Sequence, residues 1–480
     1  MTTRESPPPD RRFLETLWHA LGGDPAALDR VTFTGAGGLP AVYPVTDLAV
    51  ASVAAAGLAL AGLMGAGLMG AGLMGAGLTG ADTVVADRRL ASVWFGYALR
   101  PQGWELPPVW DAVAGDYLAA DGWIRLHTNA PHHRAAALAV LSVPAERAAV
   151  ARAVAAWSAT ALETAVVAAG GCAAAMRDAA AWAAHPQGRA VAAAPLLSLD
   201  EAGQGASQGA AEGRARWRPD PARPLAGVKV LDLTRVLAGP TATRFLAGCG
   251  AQVLRIDPPD WEEPALAPDM TLGKRCARLN LRDAGDLATF RRLLAQADVL
   301  VHGYRPDALA GLGLDADSRR ALNPGLVDIC LDAYGWTGPW AGRRGFDSLV
   351  QMSCGIADAG MRLLGRDRPT PLPVQALDHA TGYILAAMAL RGLAHRRDTG
   401  RGVVGRTSLA ATARLLMEGG AGRGDAPPLA PETDADFNPV PERTVWGPAR
   451  RLRPPVAVAG TPLAWDLPAS PLGSAAADWG

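Results

Sequence analysis

The stretch PLPVQALDHATGYILAAMALRGLAHRRDTGRG (residues 371–402) places an aspartate, Asp378, at the start of an apolar pattern with helical spacing. Prolines interrupt the approach to Asp378, and Gly400 follows the last periodic residues as a stop signal. The pattern predicts a long apolar helix with Asp378 in its first turn. The helix dipole and the free N–H groups there would hold this carboxylate ionised, either as a helix cap or as a nucleophile.

The second half of the chain alternates between strand-like and helical segments. Four runs rich in apolar and β-branched residues, GVKVLDLT, AQVLRIDPP, ADVLVHGY and LVDICLDAYG, lie between residues 227 and 335. Strands that alternate with helices indicate an α/β fold with a doubly wound, parallel, Rossmann-like sheet. In such sheets ligands bind beyond the carboxyl ends of the strands, which predicts a site at that edge.

Changes of composition along the chain predict five units. A helical, aspartate-bearing segment with a GLMGA repeat insertion precedes a small α+β domain, a Gly/Ala/Gln-rich linker, the sheet domain and a Pro/Gly-rich tail on the surface. Their boundaries are 1–103, 104–200, 201–223, 224–420 and 421–480. In the small domain, Asp121–Gly122 predicts the turn of a hairpin over 115–128. Alanine-rich runs predict helices over 134–156 and 159–184, with a break at Gly170–Gly171 inside the second.

The first segment repeats the layout of the central helix, because a proline-containing approach leads to Asp47 and then to an apolar helix. Placing Asp47 on Asp378 aligns the two segments without a gap, so Asp47 is a second candidate for the same role. The uncharged run from Leu48 to Ala81 is long enough to span a bilayer. Its frequent glycines, and its lack of flanking basic and aromatic residues, predict instead a tandem insertion after a helix and no membrane partner.

Charge and cysteine content limit the functional classes. The chain has 46 Lys+Arg and 46 Asp+Glu, so its net charge does not indicate a nucleic acid or an anionic membrane as partner. Its five cysteines are widely spaced, with no CxxC pair and no His/Cys cluster, which predicts neither a disulfide framework nor a metal site. The polar N-terminus MTTRESPPPDRR lacks the pattern of a signal peptide, so we expect a cytoplasmic protein.

Five linked motifs of the second half carry a resemblance to a known family. They are PLAGVKVLDLTRVLAGPTATRFLAGCGAQVLRID, GKRCARLNLR, GYRPDALAGLGL, LNPGLVDICLDAYGWTGPWAGRRGFDSLVQMSCG and ALDHATGY, within residues 224–415. In this order they resemble the family III CoA-transferases, the CaiB/BaiF family that includes formyl-CoA and carnitine CoA-transferases. Residues 40–100 resemble a diverged copy of the aspartate-bearing segment, and DYLAADGWIRL through HPQGRA resembles the family's small domain. The resemblance therefore implies a permuted or partly duplicated order of modules.

The resemblance implies a CoA-transferase that moves CoA between an acyl-CoA thioester and a free carboxylic acid. Asp378 takes the position of the catalytic aspartate, with Asp47 as the alternative, and reacts through aspartyl anhydride and aspartyl-CoA thioester intermediates. CoA and acyl-CoA are then substrates, and no cofactor is bound permanently. The family's contacts to CoA carry over to Leu237, Ala238, Leu279, Asn280, Leu281, Arg282, Gly303, Tyr304, Arg305 and Arg344.

Three positions depart from the family's pattern. Pro258 and Gly311 stand where basic residues usually occur, which predicts weaker CoA binding and keeps a non-catalytic CoA-thioester-binding protein as an alternative. Phe346 stands where the racemase branch has a histidine, which favours a transferase over an acyl-CoA racemase or isomerase. His379 is a substitute imidazole, although helical geometry turns it off the face of Asp378. The early position of the small domain makes closure within one chain the alternative to a homodimer.

Overall fold

The computed structural model of the protein describes residues 7–70, 84–201, 217–422 and 427–480. Up to Glu201, mostly short elements surround one long helix. The helices of this half are α1 (Pro9–Ala20), α2 (Val45–Gly70), α3 (Arg88–Trp94), α4 (Pro131–Leu141), α5 (Arg147–Val154), α6 (Ala159–Ala168), α7 (Ala179–Ala184) and α8 (Pro186–Ala193). Its strands are β1 (Val31–Thr34), β2 (Val84–Asp87), β3 (Leu99–Pro101), β4 (Gly115–Leu118), β5 (Trp123–Leu126), β6 (Ala173–Ala175) and β7 (Leu197–Glu201).

The second half alternates between strands and helices, as its sequence predicts. Its helices are α9 (Ala238–Gly248), α10 (Ala267–Met270), α11 (Ala284–Gln296), α12 (Pro306–Ala310), α13 (Ala316–Leu322), α14 (Asp347–Cys354), α15 (Ile356–Leu363), α16 (Ala376–Thr399) and α17 (Leu409–Glu418). Its strands are β8 (Lys229–Leu233), β9 (Gln252–Asp257), β10 (Lys274–Arg278), β11 (Val299–His302), β12 (Val327–Asp332), β13 (Val403–Ser408), β14 (Glu442–Thr444), β15 (Gly447–Arg451) and β16 (Val456–Val458).

A seven-stranded sheet has the order β10-β9-β8-β11-β12-β13-β7. Neighbouring strands from β10 to β13 pair in parallel, and β7 joins the edge antiparallel to β13. The chain starts in the middle at β8, moves outward through β9 and β10, and continues from β11 on the other side of β8. This order confirms the predicted α/β, doubly wound sheet and places its switch point between β8 and β11.

Both faces of the sheet are covered by helices. In β11, Val299 and Val301 pack into the core shared with α2, α9 and α16, whereas Leu300 packs with Phe290 of α11 on the opposite face. Alternate side chains of a strand point to opposite faces, so a sheet that is buried on both sides needs apolar residues at every position. The continuous apolar runs of the sequence follow from this arrangement.

Three smaller sheets have the orders β1-β2-β16, β14-β15-β3 and β4-β5-β6. The antiparallel pair β4–β5 confirms the hairpin predicted around Asp121–Gly122. Strands β14 to β16, from the predicted tail, pair with β3 and β2 of the first half. Strand β7, from the end of the predicted small domain, pairs with the large sheet. The division into five units stays a prediction.

The alanine-rich part of the small domain differs from its prediction. Instead of helices over 134–156 and 159–184, the chain forms α4 to α7 with β6 among them. Ser142 ends α4 in the left-handed conformation, with φ of 52°, and Gly170 follows α6 with φ of 84°. Strand β6 then pairs with β5. Pairing in a sheet overrides the helix propensity of alanine at these positions.

Helices α2 and α16 pack in one core, and the guanidinium of Arg397 in α16 donates to the carbonyl of Leu63 in α2 at 2.8 Å. Each of these helices is followed by a strand that pairs in parallel with another strand, and then by a helix with a side-chain N-cap. Asp87 caps α3 after β2, and Ser408 caps α17 after β13. The sequence predicts that an aspartate and an apolar helix occur twice, and in the structure a helix–strand–helix order follows both candidate aspartates.

Within the described ranges one helix, over Val45–Gly65, is long and apolar enough to cross a membrane by length and composition. It is largely buried inside the protein, as is common for the core helix of a folded domain. The GLMGA repeat begins within α2 and continues it to Gly70. The rest of the repeat, residues 71–81, and most of the predicted linker, residues 202–216, lie outside the described residues.

Helix α16 packs closely on α9 at Gly382, where a Cβ atom would lie 2.5 Å from the carbonyl oxygen of Ala238. We expect Gly382→Ala to push the helices apart and to lower the free energy of unfolding by about 1–3 kcal/mol. Gly62→Ala is the matched control, because Gly62 is also helical but no atom lies within 4 Å of its Cβ position. Urea unfolding compares both variants with the wild type. An unchanged midpoint for Gly382→Ala would contradict the expected clash.

Candidate active site

A cavity of about 410 Å³ lies where β8, β11 and β12 end. Its wall includes Thr234 and Gly303, just beyond the first two of these strands, and Asp332, the last residue of the third. Asp378, in the first turn of α16, lines the same cavity although its residue is only 7% exposed. The cavity therefore lies at the switch point of the sheet, where doubly wound folds bind their ligands.

Asp347, the first residue of α14, is buried against the start of α16. Its carboxylate accepts the backbone N–H of Asp378 at 3.0 Å and the side-chain amide of Gln351. An acid from another helix thus caps α16, since the N-cap residue Gln375 makes no side-chain cap. Within the described ranges no hydrogen bond reaches the carboxyl group of Asp378, which leaves it available to a ligand.

The structure reverses the expectation that the helix dipole holds Asp378 ionised. Burial raises the pKa of Asp378 well above its ordinary value, and the neighbouring Asp347 raises it further. Burial also raises the pKa of Asp347, although N–H donors from Asp378, Gln351 and Leu377 lower it in part. Because Asp347 has these donors, the negative charge of the pair rests mainly on Asp347 and the proton on Asp378.

The cavity gathers more than half of the residues that the resemblance predicts as CoA contacts, together with Asp378: Ala238, Arg282, Gly303, Tyr304, Arg305 and Arg344. The other predicted contacts, Leu237, Leu279, Asn280 and Leu281, are not part of its wall. Leu237 and Leu279 are buried. The side chain of Asn280 accepts the backbone N–H of Arg282 at 3.2 Å, so this segment shapes the loop that presents Arg282.

Positive charge predominates in the cavity. Arg235, Arg282 and Arg344 line it, and none of them has an acidic partner in the described part of the chain. The guanidinium of Arg235 lies 4.4 Å from the ring centroid of Trp261 and 5.1 Å from that of Tyr304, to whose hydroxyl it donates at 2.8 Å. Planar guanidinium groups held in this way suit phosphate or carboxylate ligands.

Several residues of the cavity wall were not selected as site residues from the sequence: His132, His133, Arg235, Trp261, Asp332 and Arg343. Arg235 and Asp332 lie at the carboxyl ends of β8 and β12, and that position was the signal that could have identified them. Burial raises the pKa of Asp332 to about 7. The two histidines lie on α4 of the small domain, and no local pattern indicates that tertiary packing brings α4 to the sheet.

The small domain brings imidazole rings to Phe346. The ring of His127 stacks on Phe346 with the centroids 3.7 Å apart, and His133 meets the same ring edge-on at 5.9 Å. His133 lines the cavity, and neither of its ring nitrogens has a partner in the described ranges. Burial lowers the pKa of His133 to about 3, so this imidazole is neutral at physiological pH.

Asp47 and His379 lie outside this cavity. The carboxylate of Asp47 pairs with Arg88 at 2.8 Å, and Arg88 also pairs with Asp10. Asp47 lines a separate hollow of about 370 Å³. The ring of His379 stacks on Phe95 with the centroids 5.2 Å apart. Of the two candidate nucleophiles, Asp378 is thus the one that shares a cavity with the predicted CoA contacts.

Pro258 and Gly311, the two departures from the family's pattern, are not part of the cavity wall either. The carbonyl of Pro258 accepts from Arg278 at 3.1 Å, and Gly311 ends α12. In the described residues there is no group of three or more His, Cys, Asp or Glu side chains that could hold a metal ion. The five cysteines of the chain are buried and unpaired.

Comparison with known proteins identifies relatives of the second half. Residues 225–436 match the family model described as CoA-transferase family III. Acetyl-coenzyme A transferase nodX of Hypoxylon pulicicidum is 35% identical over 198 residues, which cover 39% of this chain and 33% of nodX. Human succinyl-CoA:glutarate CoA-transferase is 31% identical over 216 residues, which cover 42% of this chain and 48% of that enzyme.

A crystal structure of Rv3272 from M. tuberculosis is 32% identical, covers 42% of this chain and 59% of Rv3272, and has a TM-score of 0.37. The chain spans about half of the length, or less, of the curated relatives that it matches. The matched residues coincide with the region whose motifs carry the resemblance, which is thereby confirmed. Over residues 225–436 this protein is therefore similar to CoA-transferase family III.

Proposed function

We propose that this protein is a CoA-transferase that moves CoA from an acyl-CoA thioester to a free carboxylic acid, with Asp378 as the nucleophile. One observation carries the proposal: Asp378 lines a cavity together with Arg235 and Arg282, which have no acidic partner in the described ranges. An acyl-CoA has phosphates at one end, which guanidinium groups bind, and the reacting thioester at the other, which a carboxylate can attack. The relatives named as CoA-transferases support the same activity.

The proposed first half-reaction transfers CoA to the protein. The Asp378 carboxylate attacks the thioester carbonyl and expels CoA as a thiolate, which leaves a mixed anhydride. The thiolate then attacks the aspartyl carbonyl, releases the first acid as a carboxylate and forms an aspartyl-CoA thioester. In the second half-reaction an acceptor carboxylate attacks this thioester, and the thiolate attacks the acyl carbonyl of the new anhydride. The products are the new acyl-CoA and the regenerated Asp378 carboxylate.

Burial of Asp378 serves this chemistry in two ways. Anhydrides hydrolyse, so the reacting carboxylate has to be shielded from bulk water. A carboxylate with a raised pKa is also more basic and hence a stronger nucleophile, although only its ionised fraction reacts. Burial and the charge of Asp347 raise the pKa of Asp378. Backbone N–H groups near Asp378 would stabilise the oxyanions that form during attack.

A second function, isomerisation of an acyl-CoA at Cα, is favoured by the imidazoles of His132 and His133 in the cavity wall. Such a reaction needs two acid/base groups on opposite sides of the carbon, and Asp378 would be one of them. It predicts exchange of the Cα proton with solvent deuterium, whereas the transferase predicts exchange of the acyl group with free acid.

Trapping with hydroxylamine tests the nucleophile. Wild-type protein incubated with an acyl-CoA and hydroxylamine should carry a hydroxamate at Asp378, because the amine attacks aspartyl thioesters and anhydrides. Asp378→Ala should lose the adduct and at least about 1,000-fold of the acyl exchange. Asp47→Ala should keep both, because Asp47 lies outside the cavity. Peptide mass spectrometry locates the adduct.

The other outcomes of this experiment separate the alternatives. An adduct at Asp47 would identify Asp47, on α2, as the nucleophile instead of Asp378. No adduct at either aspartate, with CoA still bound, would favour a non-catalytic CoA-thioester-binding protein. Deuterium incorporation at Cα without any acyl exchange would favour the isomerase.

Burial and, after it, the charge of Asp347 should determine the pH dependence of the nucleophile. Because Asp347 raises the pKa of Asp378, kcat/KM for an acyl-CoA should rise with pH as Asp378 loses its proton. Asp347→Asn removes this charge, lowers the pKa of Asp378 and should move the rise to lower pH. Asp358→Asn is the control, since Asp358 pairs with Arg362 on α15 and does not line the cavity. An identical profile for wild type and Asp347→Asn would contradict the coupling.

One chain should hold a complete site. His133 of the small domain and Asp378 line one cavity, and Arg343 binds Glu163 of the small domain at 2.9 Å within the same chain. Native mass spectrometry with added acyl-CoA should therefore detect CoA on monomers as well as on any dimer. Dimers that lose all CoA when they dissociate would show that a partner subunit completes the site.

A further inference from the structure

His133 is the polar group of the cavity wall whose hydrogen bonds are unaccounted for. Its residue is 4% exposed, and both ring nitrogens are buried without a partner in the described ranges. A neutral imidazole has one N–H donor and one acceptor nitrogen. Leaving both unpaired inside a protein costs stability, so native structures keep few such groups and each needs an explanation. Because His133 lines the same cavity as Asp378, we expect a ligand to be its partner.

The surroundings of His133 favour an anionic partner. Burial lowers the pKa of His133 most, and the charges of His132, Arg344 and Arg235 lower it further, so both guanidinium groups lie near this ring. Arg344 also donates to the carbonyl of Gly170 in the small domain at 3.3 Å, so its guanidinium lies at the wall that His133 belongs to. A guanidinium beside an imidazole N–H can pair with a carboxylate through one charge-assisted and one neutral hydrogen bond.

We propose that His133 and Arg344 together bind a carboxylate of the acid substrate and so position the acid beside Asp378. This inference rests on the proposed function, because it names the substrate group that the small domain recognises. CoA has an anionic part of its own, but Arg235, Arg282 and Arg305 on the loops of the sheet remain for its phosphates. The carboxylate bound by His133 is either the reacting group of the acid or the second carboxylate of a dicarboxylic acid.

Steady-state kinetics with two acids test this role. His133→Phe keeps an aromatic ring but removes both nitrogens, and His133→Gln keeps an N–H donor. With butanoate and glutarate as acceptors, His133→Phe should raise KM for the acid about tenfold, as expected for a lost hydrogen bond to a charged group. KM for the acyl-CoA donor should stay within about twofold. His133→Gln should recover part of the loss.

His127→Phe is the matched control, because His127 is equally buried, stacks on Phe346 and is not part of the cavity wall. It should leave KM for both acids unchanged. A rise in KM for both acids in His133→Phe identifies the reacting carboxylate as the group bound, and a rise for glutarate alone identifies the second carboxylate; either supports the proposal. Unchanged KM for both acids, or equal rises for acids and acyl-CoA, would overturn it.

A measurement on the wild-type protein covers the case in which the variants do not fold. In histidine-labelled protein, glutarate or butanoate should shift the ring nitrogen resonance of His133, and Arg344→Leu should abolish this shift. No shift with either acid at saturating concentration would leave water as the partner of His133 and overturn the proposal. The proposed function fails separately, since it requires the hydroxylamine adduct at Asp378, which should form in His133→Phe as it does in the wild type.

Discussion

The start of α16 combines two acids that are both buried. Asp347 accepts the N–H of Asp378, so the carboxylate that caps the helix comes from α14 and holds the two helices in register. The helix N-terminus stabilises one negative charge there, and the low polarity of the surroundings disfavours a second. Asp378 is consequently the acid that keeps its proton until a substrate or a higher pH changes the balance. The position of the cavity and the reactivity proposed for Asp378 both depend on this contact.

The topology of the sheet explains why a single cavity can serve both ends of an acyl-CoA. Strands β8 and β11 are neighbours, but the chain leaves them in opposite directions, so the loops after them diverge and leave a crevice. Arg235 follows one of these strands and Arg305 follows the other. Helix α4, from the opposite end of the sequence, covers the crevice with His132 and His133. Cationic groups thus come from the sheet, and neutral imidazoles come from the small domain.

The features that the sequence predicted correctly are those with a local or periodic signal. The apolar runs from β8 to β12, the helix of Asp378 and its end at Gly400 are marked by neighbouring residues, and the structure contains them. Features that depend on distant contacts were missed or predicted wrongly. Ala173–Ala175 forms a strand because β5 lies beside it. The raised pKa of Asp378 depends on its burial and on an acid 31 residues away. His133 reaches the cavity only through packing of the small domain. Only some of the predicted CoA contacts line the cavity. Leu279 and Leu281 instead pack into the core near the loop.

The start of α2, the second aspartate-bearing helix, has different ionic contacts from the start of α16. In α2 the carboxylate of Asp47 shares the guanidinium of Arg88 with Asp10, so two acids and one base meet at that helix end. Replacing Arg88 would leave two partly buried carboxylates without this partner, and such losses are costly. Replacing Asp47 instead would leave Arg88 paired with Asp10, so Arg88 is the member of the triplet on which the ion pairs of this helix end depend. Helix α2 can therefore lose its aspartate and still keep an ion pair at its first turn, between Arg88 and Asp10.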